Sequence, residues 1–180
     1  MPNWCENNLT ITGAEDRLRQ FLTENIIQEG LETTLDFNFV APLPEVHTNF
    51  LFEWRIQNWG TKWKGDVYFV EHAQPDALTI NFNSAWSPPE PWIEKASRHY
   101  PDLHFHLLYE EPGMDFGGYF IADNGVTEGE CADLDKIDEE TGRPVKYDQG
   151  KDRYIFLDTG EVIEDEDYYP QQVNHFTESI

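Results

Sequence analysis

The chain of 180 residues is short of positive charge, cysteine and long apolar runs. Lys and Arg number 12 against 35 Asp and Glu, for a formal net charge of -23. A surface this acidic repels phosphate, which argues against direct nucleic-acid binding and against anionic membranes. Cys5 and Cys131 are the only cysteines. Two thiols cannot hold an iron–sulfur cluster, which takes about four ligands. No apolar run approaches the roughly 20 residues that span a bilayer. The N-terminus, Met1 to Glu6, has neither a basic stretch nor an apolar one, so no secretory leader is expected. A reducing, cytoplasmic setting with free thiols is therefore the expectation. There is no Gly-rich phosphate loop, no nucleophile elbow and no zinc-finger spacing. No catalytic residue, metal or cofactor is therefore expected.

What is present suffices for a core, with hydrophobic residues at 39% and aromatics at 14%. Asn8 to Thr12 alternates polar and apolar, as a half-buried strand does. Leu18, Phe21, Leu22 and Ile26 follow at helical spacing, which predicts a helix over about 14–28 with Gly30 just past its end. Thr34 to Val40 alternates again and reads as a second strand. Phe50 to Gln57 reads as a short helix, and Asn58 to Trp63 as a loop around Gly60. Val67–Val70 and Leu78–Phe82 read as a hairpin. Ser87 is placed to cap a helix whose apolar face is Trp92, Ile93, Ala96 and Tyr100. Leu103 to Tyr109 closes the series as a strand.

This order predicts an α+β fold. Its economical form is a ferredoxin-like antiparallel sheet with two helices on one face. Two hairpins follow, one turning at Asn124-Gly125 and one over Tyr154–Ile163. The charge is uneven: residues 102–180 hold 21 acidic and 5 basic side chains, against 14 and 7 before them. The expected organisation is a ferredoxin-like domain over 1–125 and an acidic, hairpin-containing C-terminal extension over 126–180, with the last ten residues loose.

Four blocks stand out in order: Met1-Pro2-Asn3-Trp4-Cys5 with Asn8, Leu9 and Gly13; Asn58-Trp59-Gly60-Thr61-Lys62-Trp63; Ala85-Trp86-Ser87-Pro88-Pro89; and Tyr109-Glu110-Glu111-Pro112-Gly113 with Phe116 and Gly118. Together they resemble the Api92-like (YubB-like, DUF1281) proteins over roughly residues 1–125. The resemblance implies a ferredoxin-like topology and carriage by bacteriophages, plasmids and bacterial genomes. It implies no activity, and no functional residue is transferred by it.

Trp59, Lys62, Trp63 and Trp86 are the candidate binding residues, as a ligand or peptide groove of rigid aromatics beside a rare cation. The bland alternative has the tryptophans, Trp92 among them, capping the sheet core with indole N–H groups on loop carbonyls. His104 and His106 alternate on one strand and share a face, but two histidines make no metal site. Asp158-Thr159-Gly160 matches an aspartic-protease triplet without a credible second copy, and hairpin turns use the same residues. Asp133, Asp135, Asp138, Glu139 and Glu140 fail EF-hand spacing. With Glu164, Asp165, Glu166 and Asp167 they form the candidate acidic surface.

The favoured reading is a noncatalytic interaction protein of phage or plasmid type, with a basic host protein as partner. Duplex DNA carries one charge per about 1.7 Å of axis. A carboxylate face of similar density can occupy a basic groove by mimicry, whereas plain solubility is the simpler account of the same charge. The alternative is a small-molecule-binding domain or small enzyme on the Trp-rich loops, with Lys62, His72 or Glu110 as polar groups.

Overall fold

The computed structural model describes residues 3–45, 50–148, 150–165 and 168–173. The first strand, β1 (Trp4–Thr12), is longer than its alternating half suggested. Cys5, Asn7, Leu9 and Ile11 point to the core, and the residues between them point away. Helix α1 (Glu15–Asn25) follows, with Glu15 and Asp16 in its first turn, where the helix dipole favours acids. It ends three residues before the predicted 28. Ile26 and Ile27, β-branched, instead start a strand. That strand, β2 (Ile26–Glu29), pairs with β3 (Glu32–Leu35) across a turn at Gly30, where φ is +66°. Gly30 is thus a hairpin residue and not a helix stop.

The strand expected over 34–40 stops at Leu35. Asp36 bends the chain, because its carboxylate accepts the backbone N–H of Asn38 at 3.0 Å. Phe37 then turns into the core and Phe39 outward. The short helix appears as α2 (Leu51–Trp59), capped by Gly60 at φ +80°. Strands β4 (Gly65–Gln74) and β5 (Ala77–Ala85) form the expected hairpin. Helix α3 (Glu90–His99) has Pro89 at its cap and no side-chain cap. Ser87 does not cap it; its hydroxyl donates to the Gly60 carbonyl at 2.5 Å.

Strand β6 (His104–Glu111) is followed by β7 (Phe116–Asp123) and β8 (Val126–Asp133). Asn124 and Gly125 form the predicted turn, both at positive φ. The remaining strands are short: β9 (Asp135–Ile137), β10 (Val145–Asp148), β11 (Arg153–Phe156) and β12 (Gln171–Val173). The expected Tyr154–Ile163 hairpin survives as β11 with one bridge, Ile155 to Val162, and its main partner is β10. Of the last ten residues, Gln171–Val173 pair with β9, and 174–180 lie outside the described residues.

β1 to β8 make one sheet in the order β2-β3-β4-β5-β1-β6-β7-β8, with every neighbour antiparallel. Its centre, β4-β5-β1-β6 with α1 and α3, is the ferredoxin-like unit. One hairpin is added at each edge, and α2 lies against α3. The core lies between the helices and one face of the sheet. Phe21 meets Trp92, Tyr100 and Phe105 at 5.3–6.3 Å in edge-to-face contacts, and Phe37 lies against Trp92 and Trp59. No described helix is long and apolar enough to cross a membrane.

Candidate interaction surface

The four sequence blocks converge at one end of the sheet, where β1 begins and β5 and β6 finish. The Asn3 carbonyl accepts the Trp86 N–H at 3.0 Å, and the Thr61 hydroxyl donates to the Ala85 carbonyl at 2.9 Å. Gly60 is packed so tightly that an added Cβ would lie 2.6 Å from Pro91 and 2.8 Å from the Pro88 carbonyl. Gly113 sits against Asn3 in the same way.

These contacts hold Trp86 at φ +72°, a conformation that bulky residues rarely adopt. Such strain persists only where the surroundings over-determine it. The result is an exposed cation–aromatic stack. The Lys62 ammonium lies 4.7 Å from the ring centroids of both Trp63 and Trp86. Trp4 meets Trp63 on one flank, and Phe52 meets Trp86 on the other. Lys62, Trp63 and Trp86 are thus brought together. Trp59 faces inward instead: it is 1% exposed and donates its indole N–H to the Ala41 carbonyl at 2.9 Å. Trp92 is fully buried and donates to the Phe37 carbonyl at 3.1 Å. These two tryptophans cap the core as the bland alternative described.

The other face of the sheet carries no helix among the described residues. Its register aligns side chains in rows across the strands. One row runs Asp66, Asn83, Glu6, Glu110. The next runs Phe69, Asn81, Asn8, Leu108, Tyr119, Glu130. A third runs Glu71, Thr79, Thr10, His106, Ile121, Glu128, and beyond it lie Thr12, His104, Asp123 and Val126. Glu29 faces Glu32 on the outer hairpin, in register with the same face. None of the eight strands contains a Lys or an Arg. Histidines are the only side chains of these eight strands that can carry positive charge. His104 Nδ1 lies 3.1 Å from Asp123, and burial lowers the pKa of His106. Among the described residues no three metal-ligating side chains gather.

Glu6 and Glu110 stand directly opposite each other, and like charges in that position are destabilising. Tyr68 senses both. Its pKa is raised first by burial and then by these two carboxylates. Rows of acids with Trp4, Tyr68 and Phe69 exposed beside them make a surface that favours cations.

The acidic residues singled out from sequence lie elsewhere. Asp133 ends β8 on the helix side, and Asp135 begins β9. Asp138 is nearly buried and organises a turn: it accepts from Thr141 N–H at 2.9 Å, Thr141 hydroxyl at 2.5 Å and Tyr168 hydroxyl at 3.1 Å. These bonds, the Thr141 hydroxyl foremost, hold its carboxyl below the usual range. Glu139, Glu140, Glu164 and Asp165 are exposed, and Glu166 and Asp167 lie outside the described residues. Asp158 is held by Arg143 at 2.7 and 3.0 Å, an ion pair across a turn. Both cysteines are free, Cys5 buried and Cys131 exposed. Sequence reasoning missed the open face because it counted charge along the chain. The available signal was the absence of Lys and Arg from every segment that alternates as a strand.

A model of the ferredoxin-like domain in Api92-like protein matches residues 58–156. The chain belongs to this Api92-like family. The match takes in three of the four blocks, and it runs past 125, where sequence reading had ended the resemblance. In this Api92-like fold, then, β8 and the following turn region are part of the family pattern. The crystal structure of protein api92 from Yersinia pseudotuberculosis aligns with a TM-score of 0.52 over 74% of this chain and 98% of that one. Sequence identity is 11%, so the likeness concerns the fold alone. None of the curated proteins matches this sequence.

Proposed function

We propose that the chain is a noncatalytic interaction protein that binds a basic protein partner through the open face of its sheet. The observation that carries this reading is the row-by-row alignment of carboxylates on strands that contain no Lys or Arg. Glu6, Glu29, Glu32, Asp66 and Glu71 come from the first half of the chain, and Glu110, Asp123, Glu128 and Glu130 from the second. Their combined field attracts cations, and the interaction weakens as salt rises. The proposed partner is a basic host protein, met in the cytoplasm, in the phage or plasmid setting that the family resemblance implies. Direct nucleic-acid binding runs against the same field.

The test is capture from host lysate at low salt, with wild type beside the triple variant Glu6→Gln, Asp66→Asn, Glu110→Gln. Basic proteins retained by wild type and lost from the variant support the reading. Equal recovery by both overturns it.

A second reading rests on the Lys62 stack. Two exposed indoles on one cation, Trp63 and Trp86, with Trp4 packed against Trp63, suit a small acidic aromatic ligand. Lys62→Met should then abolish any ligand-induced change in tryptophan emission, while leaving the basic-partner capture intact.

A further inference from the structure

We infer that the outer edge of β8 is a docking site for an extended basic segment of a partner protein, which adds to the sheet as a ninth strand. This rests on the reading that the partner is basic, and adds where and how it binds.

A sheet has two edges, and here they differ. At one edge β2 is four residues long. Short edge strands are a common protection against strand addition. At the other edge β8 is eight residues long and exposed at every position. Among the described residues nothing pairs with its outer side. Alternate N–H and C=O groups therefore point to solvent along the whole strand, a ready template for another chain. Gly129 at its middle has no side chain to hinder approach, and neither Lys nor Pro interrupts it.

The side chains select the occupant. Val126, Glu128, Glu130 and Ala132 lie on the open face, in register with Asp123, Ile121, Tyr119 and Gly117. A second copy of this chain is disfavoured, since an antiparallel pair centred on Gly129 sets Glu128 against Glu130 of the other copy. Like charges directly opposite destabilise a sheet pair, and opposite charges stabilise it. An antiparallel segment reading cation, any residue, cation, any residue, apolar places its cations beside Glu130 and Glu128. Its apolar residue then falls beside Val126, which is 76% exposed. The Tyr119 hydroxyl, 3.4 Å from Glu128, yields that carboxylate readily to a charged donor.

The test uses a fluorescein-labelled peptide with lysine at its second and fourth positions, valine at its sixth and threonine elsewhere. Anisotropy measures binding, and amide hydrogen exchange locates it. Wild type should bind and gain protection across 126–133. A backbone N-methylated peptide, and the double variant Glu128→Gln, Glu130→Gln, should each bind about tenfold more weakly. A peptide with glutamate in place of lysine should not bind. If the lysine peptide protects Glu6 and Glu110 but not β8, strand addition is overturned and the basic-partner reading stands. If no basic peptide binds at low salt, both fall. Protection of β8 in a dimer formed without peptide would also overturn the proposal.

Discussion

Glu6→Gln should make the fold more stable and the partner complex weaker. Glu6 and Glu110 are cross-strand neighbours with no Lys or Arg in any strand of the sheet to offset them. Directly opposed side chains have Cβ atoms about 5 Å apart. Two unit charges at that distance in water repel by about 0.8 kcal/mol. Screening at physiological ionic strength, where the Debye length is about 8 Å, leaves roughly half of that. Removing one charge should therefore raise the unfolding free energy by about 0.4 kcal/mol at physiological salt and by more at low salt. Glu6→Lys, which turns repulsion into attraction, should gain about twice as much. Equilibrium urea unfolding at low and high salt measures both, with an unchanged denaturant slope as the sign that only stability moved. An NMR titration supplies an independent readout. The Tyr68 pKa should fall in the variant, because one of the two carboxylates that raise it is gone. A Gln variant less stable than wild type, or a gain indifferent to salt, would refute the electrostatic reasoning. Charges that cost stability are expected where function requires them. A gain in stability with no loss of basic-partner capture would assign Glu6 no part in binding.

Other consequences follow from the same contacts. Trp59→Phe keeps a ring in the core but strands the buried Ala41 carbonyl and should lose about 1–3 kcal/mol in urea unfolding, whereas Trp92→Phe should lose less, since the Phe37 carbonyl keeps the Ala41 backbone N–H at 2.9 Å. Gly60→Ala should destabilise by at least about 1 kcal/mol, since the residue is left-handed and a Cβ there meets Pro91 and the Pro88 carbonyl. Stability should decline in alkali. Burial raises the Tyr100 pKa, as does its 2.6 Å hydrogen bond to Glu24, and burial likewise raises the Tyr109 pKa. The unfolded chain then loses these protons first. Their contribution is present below about pH 10 and is lost as pH rises through the folded values, which melting temperatures across pH 8–11 should show. Thiol labelling should find Cys131 fast and Cys5 slow until the protein unfolds, because Cys5 is fully buried and its thiol is pushed up by that burial.

Much of the fold was legible because each strong signal was local. Alternation marked β1 and β6, helical spacing marked α1 and α3, and Asn124-Gly125 marked a turn between two strands. The errors fell where a local preference met a competing one. Ile26 and Ile27 fit a helical stripe, yet as β-branched residues they suit β2. Thr34 to Val40 alternates like a strand, yet the Asp36 carboxylate bends the chain and sends Phe37 into the core. Ser87 has the chemistry of a cap, but the Gly60 loop lies within its reach. The partner of Tyr154 was missed because β10 contributes one buried residue, Val145, too little for a pattern.

The candidate surface divides along the same line. Its aromatic end was visible in the blocks Asn58–Trp63 and Ala85–Pro89, although which indoles face outward was not. Trp59 and Trp63 differ by one helical turn in sequence, and the Gly60 cap sends one inward and the other to solvent. The acidic face was invisible, since Glu6 and Glu110 are neighbours only through the β1–β6 register.

By itself the sequence determined the charge, the α+β alternation of elements and the family blocks, all of which depend on residues close together along the chain. Only the tertiary structure decided where the charge acts. Antiparallel register stacks carboxylates from both halves of the chain on one uncovered face, and the added hairpin leaves β8 at an open edge. Pairing between distant strands sets both outcomes, and no property of a single segment contains it.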